Sequence, residues 1–318
     1  MIRANHVKPV YRSVQIQSTP RSGFLKGPLL MLASALMFTL LDGLIKLMGP
    51  EYGVWDIAFY RWGGGFVLLV AIFGWQGNLF KTHNLKLMTL RSITGCITFL
   101  SLTAAIRTIP LSTAMVLFFT FPAFSALFSA LLFRERISKA ELLCIVGTLI
   151  GVSVLLDFEL GGEWIGYLLG LVSGVFAGFT VCLIKILRQK DGPVVIYLYF
   201  CMLGAAITVG PYCAHPIIPA SGIEWLMVSG IACSSIIGQL FMNQGFQYCK
   251  SWEGGQFMTS ELVFTAILGI YFLGEQPTWR FWLGGVLILM SAILLNLNKA
   301  KTISHPEVTM TGSSPDSL

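Results

Sequence analysis

Charge is what this 318-residue chain has least of. Only 11% of its residues are Asp, Glu, Lys or Arg, where a soluble domain carries about 25%. With 55% hydrophobic residues and a mean hydropathy of +0.76, that scarcity excludes an ordinary water-soluble globule. Paired cysteines are missing too. The seven present (Cys96, Cys144, Cys182, Cys201, Cys213, Cys233 and Cys249) include no C-x-x-C, so they read as small buried hydrophobes rather than metal ligands or disulfides. His6, His83, His215 and His305 all fall in tails or loops. With no His/Cys/Asp cluster and no visible nucleophile, neither an enzyme, a metal site nor a cofactor is expected. The opening "MIRANHVKPVYRSVQIQSTPRSGFL" has no apolar h-region and does not read as a cleavable signal peptide.

What is there is a series of apolar segments, near 27–48, 54–75, 88–107, 110–133, 139–156, 163–187, 193–213, 224–247, 253–273 and 279–297. About 20 apolar residues cross a bilayer as a helix. Only helices and closed barrels satisfy their backbones in lipid, and these runs are too long for barrel strands. The expectation is an all-α integral membrane protein with ten transmembrane helices. The third, fifth and eighth segments are the weakest: Arg91 interrupts the third, the fifth is short and the eighth is unusually polar.

The net charge of +6 is informative through its placement, not as a nucleic-acid footprint. With the amino terminus in the cytoplasm, 16 basic residues lie inside, Arg91 among them, and only Arg107 and Arg280 lie outside. That positive-inside bias puts both termini in the cytoplasm and the protein in the plasma membrane, or the inner membrane of a bacterium. Lys46, Arg61 and Lys185 fall within the segments. The tails 1–25 and 299–318 read as disordered.

The tripeptide "LIK" occurs twice, 139 positions apart, ending at Lys46 and Lys185. At that offset "GPLLMLASALMFTLLDGLIKLM" falls on "GYLLGLVSGVFAGFTVCLIKIL", and Ile57 and Tyr60 meet Ile196 and Tyr199. At an offset of 140, "FSALFSALLFRERIS" falls on "FTAILGIYFLGEQPT". Two halves of five helices follow, 26–157 and 163–298. Five is odd, so the second half enters the bilayer from the opposite face, an inverted repeat typical of secondary transporters. Lys46 then sits near the outer interface and Lys185 near the inner one, where snorkelling to headgroups is the plainest role for both. Turn chemistry marks the boundaries: a capping box from Ser138 to Glu141, a cap at Thr278, and Pro110 and Pro193 in first turns.

"FYRW" at 59–62, "LRS" at 90–92, "IPLSTAMVLFFTFPAFSALFSALLFRERIS" and "SELVFTAILGIYFLGEQPT" carry a resemblance to the drug/metabolite transporter superfamily, of the EamA type with two tandem repeats. It spans about residues 25–298, with Ser92 where the family often has Gly and no proline in the ninth helix to match Pro122. The resemblance implies a ten-helix carrier with a central cavity between the halves. It leaves the cargo open among amino-acid-, nucleoside- and vitamin-like metabolites.

Ionisable groups inside a bilayer are expensive, roughly 2.5–3.5 kcal/mol on insertion scales, and are functional candidates by default. Asp42 and Arg61 are equally far from the turn "GPEYG", so they share a depth about 9–10 Å below the helix ends at 1.5 Å per residue. Lys46 matches Asp56 likewise. Asp42, Lys46, Asp56 and Arg61 thus form a charge network, either a self-neutralised scaffold or an outer gate with Arg61 anchoring a substrate carboxylate through its planar fork. Glu261 has no basic residue in its own helix. It is a candidate for proton coupling or amine binding, or else a hydrogen-bonded interhelical carboxyl. Gln239, Asn243 and Gln247 recur at i, i+4, i+8 and make one polar stripe, which either bonds between helices or lines a cavity with Gln256 and Tyr60. Pro122, Gly254 and Gly255 are candidate hinges.

The expected partners are the lipid bilayer, a small-molecule substrate and protons as coupling ion, with no nucleic acid and the chain a monomer or homodimer. A lipid-precursor flippase and a channel-like protein remain alternatives to the carrier.

Overall fold

The computed structural model describes residues 26–76, 79–133, 139–155, 164–188, 190–248 and 257–304. Among them there is no strand. The helices are α1 (Lys26–Leu47), α2 (Val54–Phe73), α3 (Leu85–Thr108), α4 (Leu111–Phe118), α5 (Phe121–Phe133), α6 (Lys139–Leu155), α7 (Trp164–Leu187), α8 (Pro193–Ala214), α9 (Gly222–Tyr248), α10 (Ser260–Phe272) and α11 (Trp279–Ser304), with a 3-10 turn at Gly74–Gln76.

Several ends are set by local chemistry. Pro193 stands in the first turn of α8, and Pro110 is the cap residue of α4. Asn84 caps α3, its side-chain oxygen accepting from the Leu87 N–H at 3.1 Å. The Thr278 hydroxyl accepts from the Phe281 N–H at the start of α11 at 3.4 Å. The capping box expected from Ser138 lies outside the described residues.

Seven stretches are long and apolar enough to cross a membrane: α1, α2, α3, α4 with α5, α7, α8 and α9. Shorter apolar helices lie at 142–154, 260–272 and 279–291. The third and eighth sequence segments, weak by hydropathy, are among the seven. The fourth is broken. α4 ends at Phe118 and α5 begins at Phe121, one residue before Pro122, whose missing N–H is harmless in a first turn. Thr120 bridges the break, its hydroxyl donating to the Leu117 carbonyl at 2.7 Å.

The chain buries charged side chains within an apolar core and presents an apolar surface. Asp42, Arg61, Arg91 and Glu261 are each 3–4% exposed, whereas Leu29, Val67, Leu131, Leu143 and Leu226 are 62–74% exposed. That inversion is how a helix bundle sits in lipid, since the solvent itself is oily. Helices meet in a patterned way. α1 packs along α9 as α3 packs along α7, α3 meets α8 as α9 meets α2, and α2 pairs with α8 and α6 with α11.

Small residues permit the close approaches. Gly166, Gly170, Gly174 and Gly178 form a stripe on α7 at four-residue spacing. A methyl group on Gly178 would stand 2.7 Å from the Ser125 amide nitrogen and 2.9 Å from the Phe121 carbonyl oxygen, and one on Gly174 2.8 Å from the Leu117 carbonyl oxygen.

Candidate functional site

Two cations close the end of the bundle where α1 and α3 terminate. Lys46, in the last turn of α1, donates to the carbonyls of Ile106 and Ile109 at 2.7 Å each. Arg107, in the last turn of α3, donates to Met48 (2.5 Å), Gly49 (2.8 Å) and Tyr52 (3.2 Å) beyond the end of α1. Each helix thus supplies the cation that satisfies the other's orphan C-terminal carbonyls. The Glu275 carboxylate does the complementary work at the N-terminus of α4, accepting from the N–H groups of Leu111 and Ser112 and from the Ser112 hydroxyl at 2.6 Å. At the same end the Tyr52 hydroxyl donates to Glu224 at 2.6 Å. Burial, then the Glu224 bond and charge, push the Tyr52 phenol above its ordinary range.

Asp56 accepts from the Gly53 N–H at 2.9 Å and caps its own helix. Tyr60 donates to the Ile217 carbonyl at 2.8 Å and pairs with Tyr212 at 2.9 Å. Tyr212 in turn stacks on Phe59, with ring centroids 4.0 Å apart. The opposite end carries His83 against Asp191, at 3.2 Å, and the Tyr199 hydroxyl on the Phe80 carbonyl at 2.8 Å.

Between these ends lies a buried charged centre built from six helices. On α2, Arg61 donates through Nε to the Ser235 hydroxyl of α9 at 2.7 Å. Ser235 is in turn 2.7 Å from the Tyr197 hydroxyl of α8. The Arg61 guanidinium lies 3.7 Å from the ring centre of Phe99 on α3, a cation–π contact in a desolvated setting. Asp42 on α1 stands within electrostatic reach of Arg61, and Glu261 in the first turn of α10 within reach of Asp42. All three are buried; α1 packs on α10, and α9 packs on both α1 and α2. Ser34 ties α1 to α9 nearby, donating to the Gly238 carbonyl at 2.8 Å.

Of the polar stripe on α9, Asn243 is buried and Gln239 holds a buried side-chain oxygen with no hydrogen-bond partner among the described residues. The Gln247 and Lys185 side chains, Gly254, Gly255 and Gln256 lie outside them. Pro122 stands at the break between α4 and α5. The structure thus gathers Arg61, Asp42 and Glu261, with Gln239 and Asn243 on the helix that holds Ser235. It places Lys46, Asp56 and Tyr60 in contacts of their own.

Sequence reasoning passed over Arg91, Arg107, Tyr197 and Ser235. Arg91 counted there as an inner cation at the edge of its segment, but it lies inside α3 and is 3% exposed. Its signal was the run of small residues after it, Ser92, Thr94, Gly95 and Cys96, which marks close helix packing. Tyr197 and Ser235 carry no comparable signal, since a lone hydroxyl is common in any membrane helix.

Residues 25–157 and 164–297 each match the EamA-like transporter family. The chain is 26% identical over 274 residues to the pseudopaline exporter CntI of Pseudomonas aeruginosa strain UCBPP-PA14, covering 86% of this chain and 96% of that protein. It is 22% identical over 270 residues to the S-adenosylmethionine uptake transporter of Rickettsia felis, covering 83% and 90%. A solved crystal structure, 18% identical, superposes with a TM-score of 0.62 over 88% of this chain and 99% of that one, a likeness of fold.

Proposed function

Because the chain belongs to the EamA-like transporter family, we propose that it is a secondary-active carrier that moves a small polar metabolite across the plasma or bacterial inner membrane by alternating access. The single observation that carries this reading is that Asp42, Arg61 and Glu261, on three different helices of the bundle, are each only 4% exposed. Charges this deep in a multi-pass protein are expensive, and where they occur they mark substrate or ion pathways.

The ten-helix, inverted-repeat architecture is part of the proposal. If 26–157 and 163–298 are equivalent halves, α1, α2, α3 and α4 with α5 correspond to α7, α8, α9 and α10. Exchanging the halves then turns the α1–α9 contact into α7–α3, and α3–α8 into α9–α2, both of which occur. The contacts α2–α8 and α6–α11 map onto themselves. That pattern supports a two-fold relation. With the basic residues inside, the end held by Lys46, Arg107 and Glu275 faces outward, and both termini are cytoplasmic.

In this carrier Arg61 anchors an anionic group of the cargo, with Asp42 as its partner when the site is empty. Gln239 and Asn243 read polar groups, and Glu261 takes up and releases the coupling proton. The relatives named for export and for uptake leave the direction to the coupling gradient.

The test is counterflow in proteoliposomes loaded with S-adenosylmethionine, pseudopaline, or a panel of amino acids and nucleosides. A carrier shows saturation and trans-stimulation for at least one compound. Flux that rises linearly with concentration for every compound would overturn the reading. Full gradient-driven accumulation by Glu261→Gln would remove that residue from coupling while leaving the carrier intact.

A further inference from the structure

Arg91 is a buried cation that the proposed transport cycle does not use. Its guanidinium carbon stands 4.5 Å from the centre of the Phe200 ring, and among the described residues its Nε and Nη1 have no hydrogen-bond partner. Among the described residues, the ionisable groups that act on it electrostatically are Cys201, Cys96, Tyr197 and Arg61. Two thiols, a phenol and a second guanidinium supply no anion at neutral pH.

Stacking on an aromatic ring engages the face of a guanidinium. Its N–H donors lie in the plane, in a fixed fork, so the contact with Phe200 leaves that fork unengaged. Arg61 reaches the same ring from α2, 5.9 Å from its centre, and its one hydrogen bond among the described residues is through Nε. The neighbouring Trp62 packs on both Phe99 and Phe200, at centroid distances of 5.2 and 5.5 Å, and its indole N–H is likewise buried and unpartnered. Donors on α2 and α3 therefore crowd two phenyl rings, and the carboxylate within reach, Asp42, faces Arg61. An unmatched set of donors in a low-dielectric site is complementary to an acceptor-rich group, and two guanidinium forks match the planar or tetrahedral oxygens of an oxyanion.

We propose that Arg61 and Arg91 together form the seat for an oxyanion group of the cargo, a carboxylate or a phosphate, on the Phe99–Phe200 shelf. This rests on the carrier reading and narrows its substrate class to anions and zwitterions.

The test is binding to the full-length protein in lipid nanodiscs, followed by calorimetry and thermal shift. The probes are mono- and dicarboxylates from acetate to glutarate against their carboxamides, and glycerol 3-phosphate against glycerol. At least one oxyanion binds and its neutral counterpart does not, and the responding series identifies the group. Arg91→Met weakens that binding at least tenfold without lowering the melting temperature of the unliganded protein, because among the described residues the Nε and Nη1 donors it removes have no hydrogen-bond partner and the methionine keeps an apolar contact with Phe200. Arg91→Lys keeps the charge, loses the fork and binds several-fold more weakly. The proposal is overturned if no oxyanion binds, if either variant binds as the parent does, or if Arg91→Met lowers the unliganded melting temperature while Arg91→Lys restores it in full. Saturable counterflow without oxyanion binding would leave the carrier reading standing and remove this seat. Oxyanion binding without saturable counterflow would do the reverse.

Discussion

At the scale of single residues, the cations in this chain divide by what their donors meet. Lys46 and Arg107 end on backbone carbonyls of each other's helices, which places positive charge at two helix C-termini. Such an interaction is worth up to about 2 kcal/mol in partly buried geometry. Arg107→Met and Lys46→Met should therefore each lower the melting temperature of the purified protein measurably. Ser235→Ala tests the other kind. It frees the Nε of Arg61 without emptying the site, so cargo affinity should fall about tenfold or more, as for a loss of at least about 1.5 kcal/mol from one hydrogen bond to a charged group. Asp42, Arg61 and Glu261 were conspicuous in the sequence because a charge inside an apolar run is rare. The groups around Arg61 beyond Asp42 were not legible, because Ser235 arrives from a helix far along the chain and Phe99 is one apolar residue among many. Nor was the docking of Lys46 onto α3, since a backbone carbonyl has no sequence signal.

At the scale of elements, the seam between α7 and the broken α4–α5 span is set by glycine. On Gly178 a side chain would meet backbone atoms of Phe121 and Ser125, which cannot move aside without moving α5. Gly178→Leu should destabilise the protein by about 1–3 kcal/mol through overpacking, read as a lower melting temperature in detergent. Gly192→Ala is the control, because nothing lies within 4 Å of its added methyl group, and only the cost of alanine at the N-cap of α8 is expected, about 1 kcal/mol or less. Helix boundaries were largely legible from hydropathy and capping residues, as at Pro193 and Thr278. The position of the break was only half legible. Pro122 announced it, but the turn falls just ahead, at Phe119–Thr120, since a proline is better accommodated within the first turn of a new helix than at the end of the old one.

At the scale of the whole molecule, one end of the bundle is held by a few polar contacts among loops and helix ends. Tyr52 on Glu224 is one of them. Tyr52→Phe removes it with little change of volume, and amide hydrogen exchange over residues 48–53 should quicken several-fold. Because the phenol is held above its ordinary range by burial and by Glu224, it stays a donor across pH 6–9, and exchange in the parent should follow only the intrinsic pH dependence of the amides over that window.

The inversion of polarity has one more consequence. Asp42, Arg61, Arg91 and Glu261 are sheathed by apolar side chains, so mobile electrolyte cannot form an atmosphere around them, and the Debye length of about 8 Å at physiological ionic strength is irrelevant to their mutual attraction. Ordinary screening would weaken binding alike in chloride, fluoride or gluconate. Any dependence on the identity of the added anion would instead report occupancy, a small ion competing for the room the cargo needs.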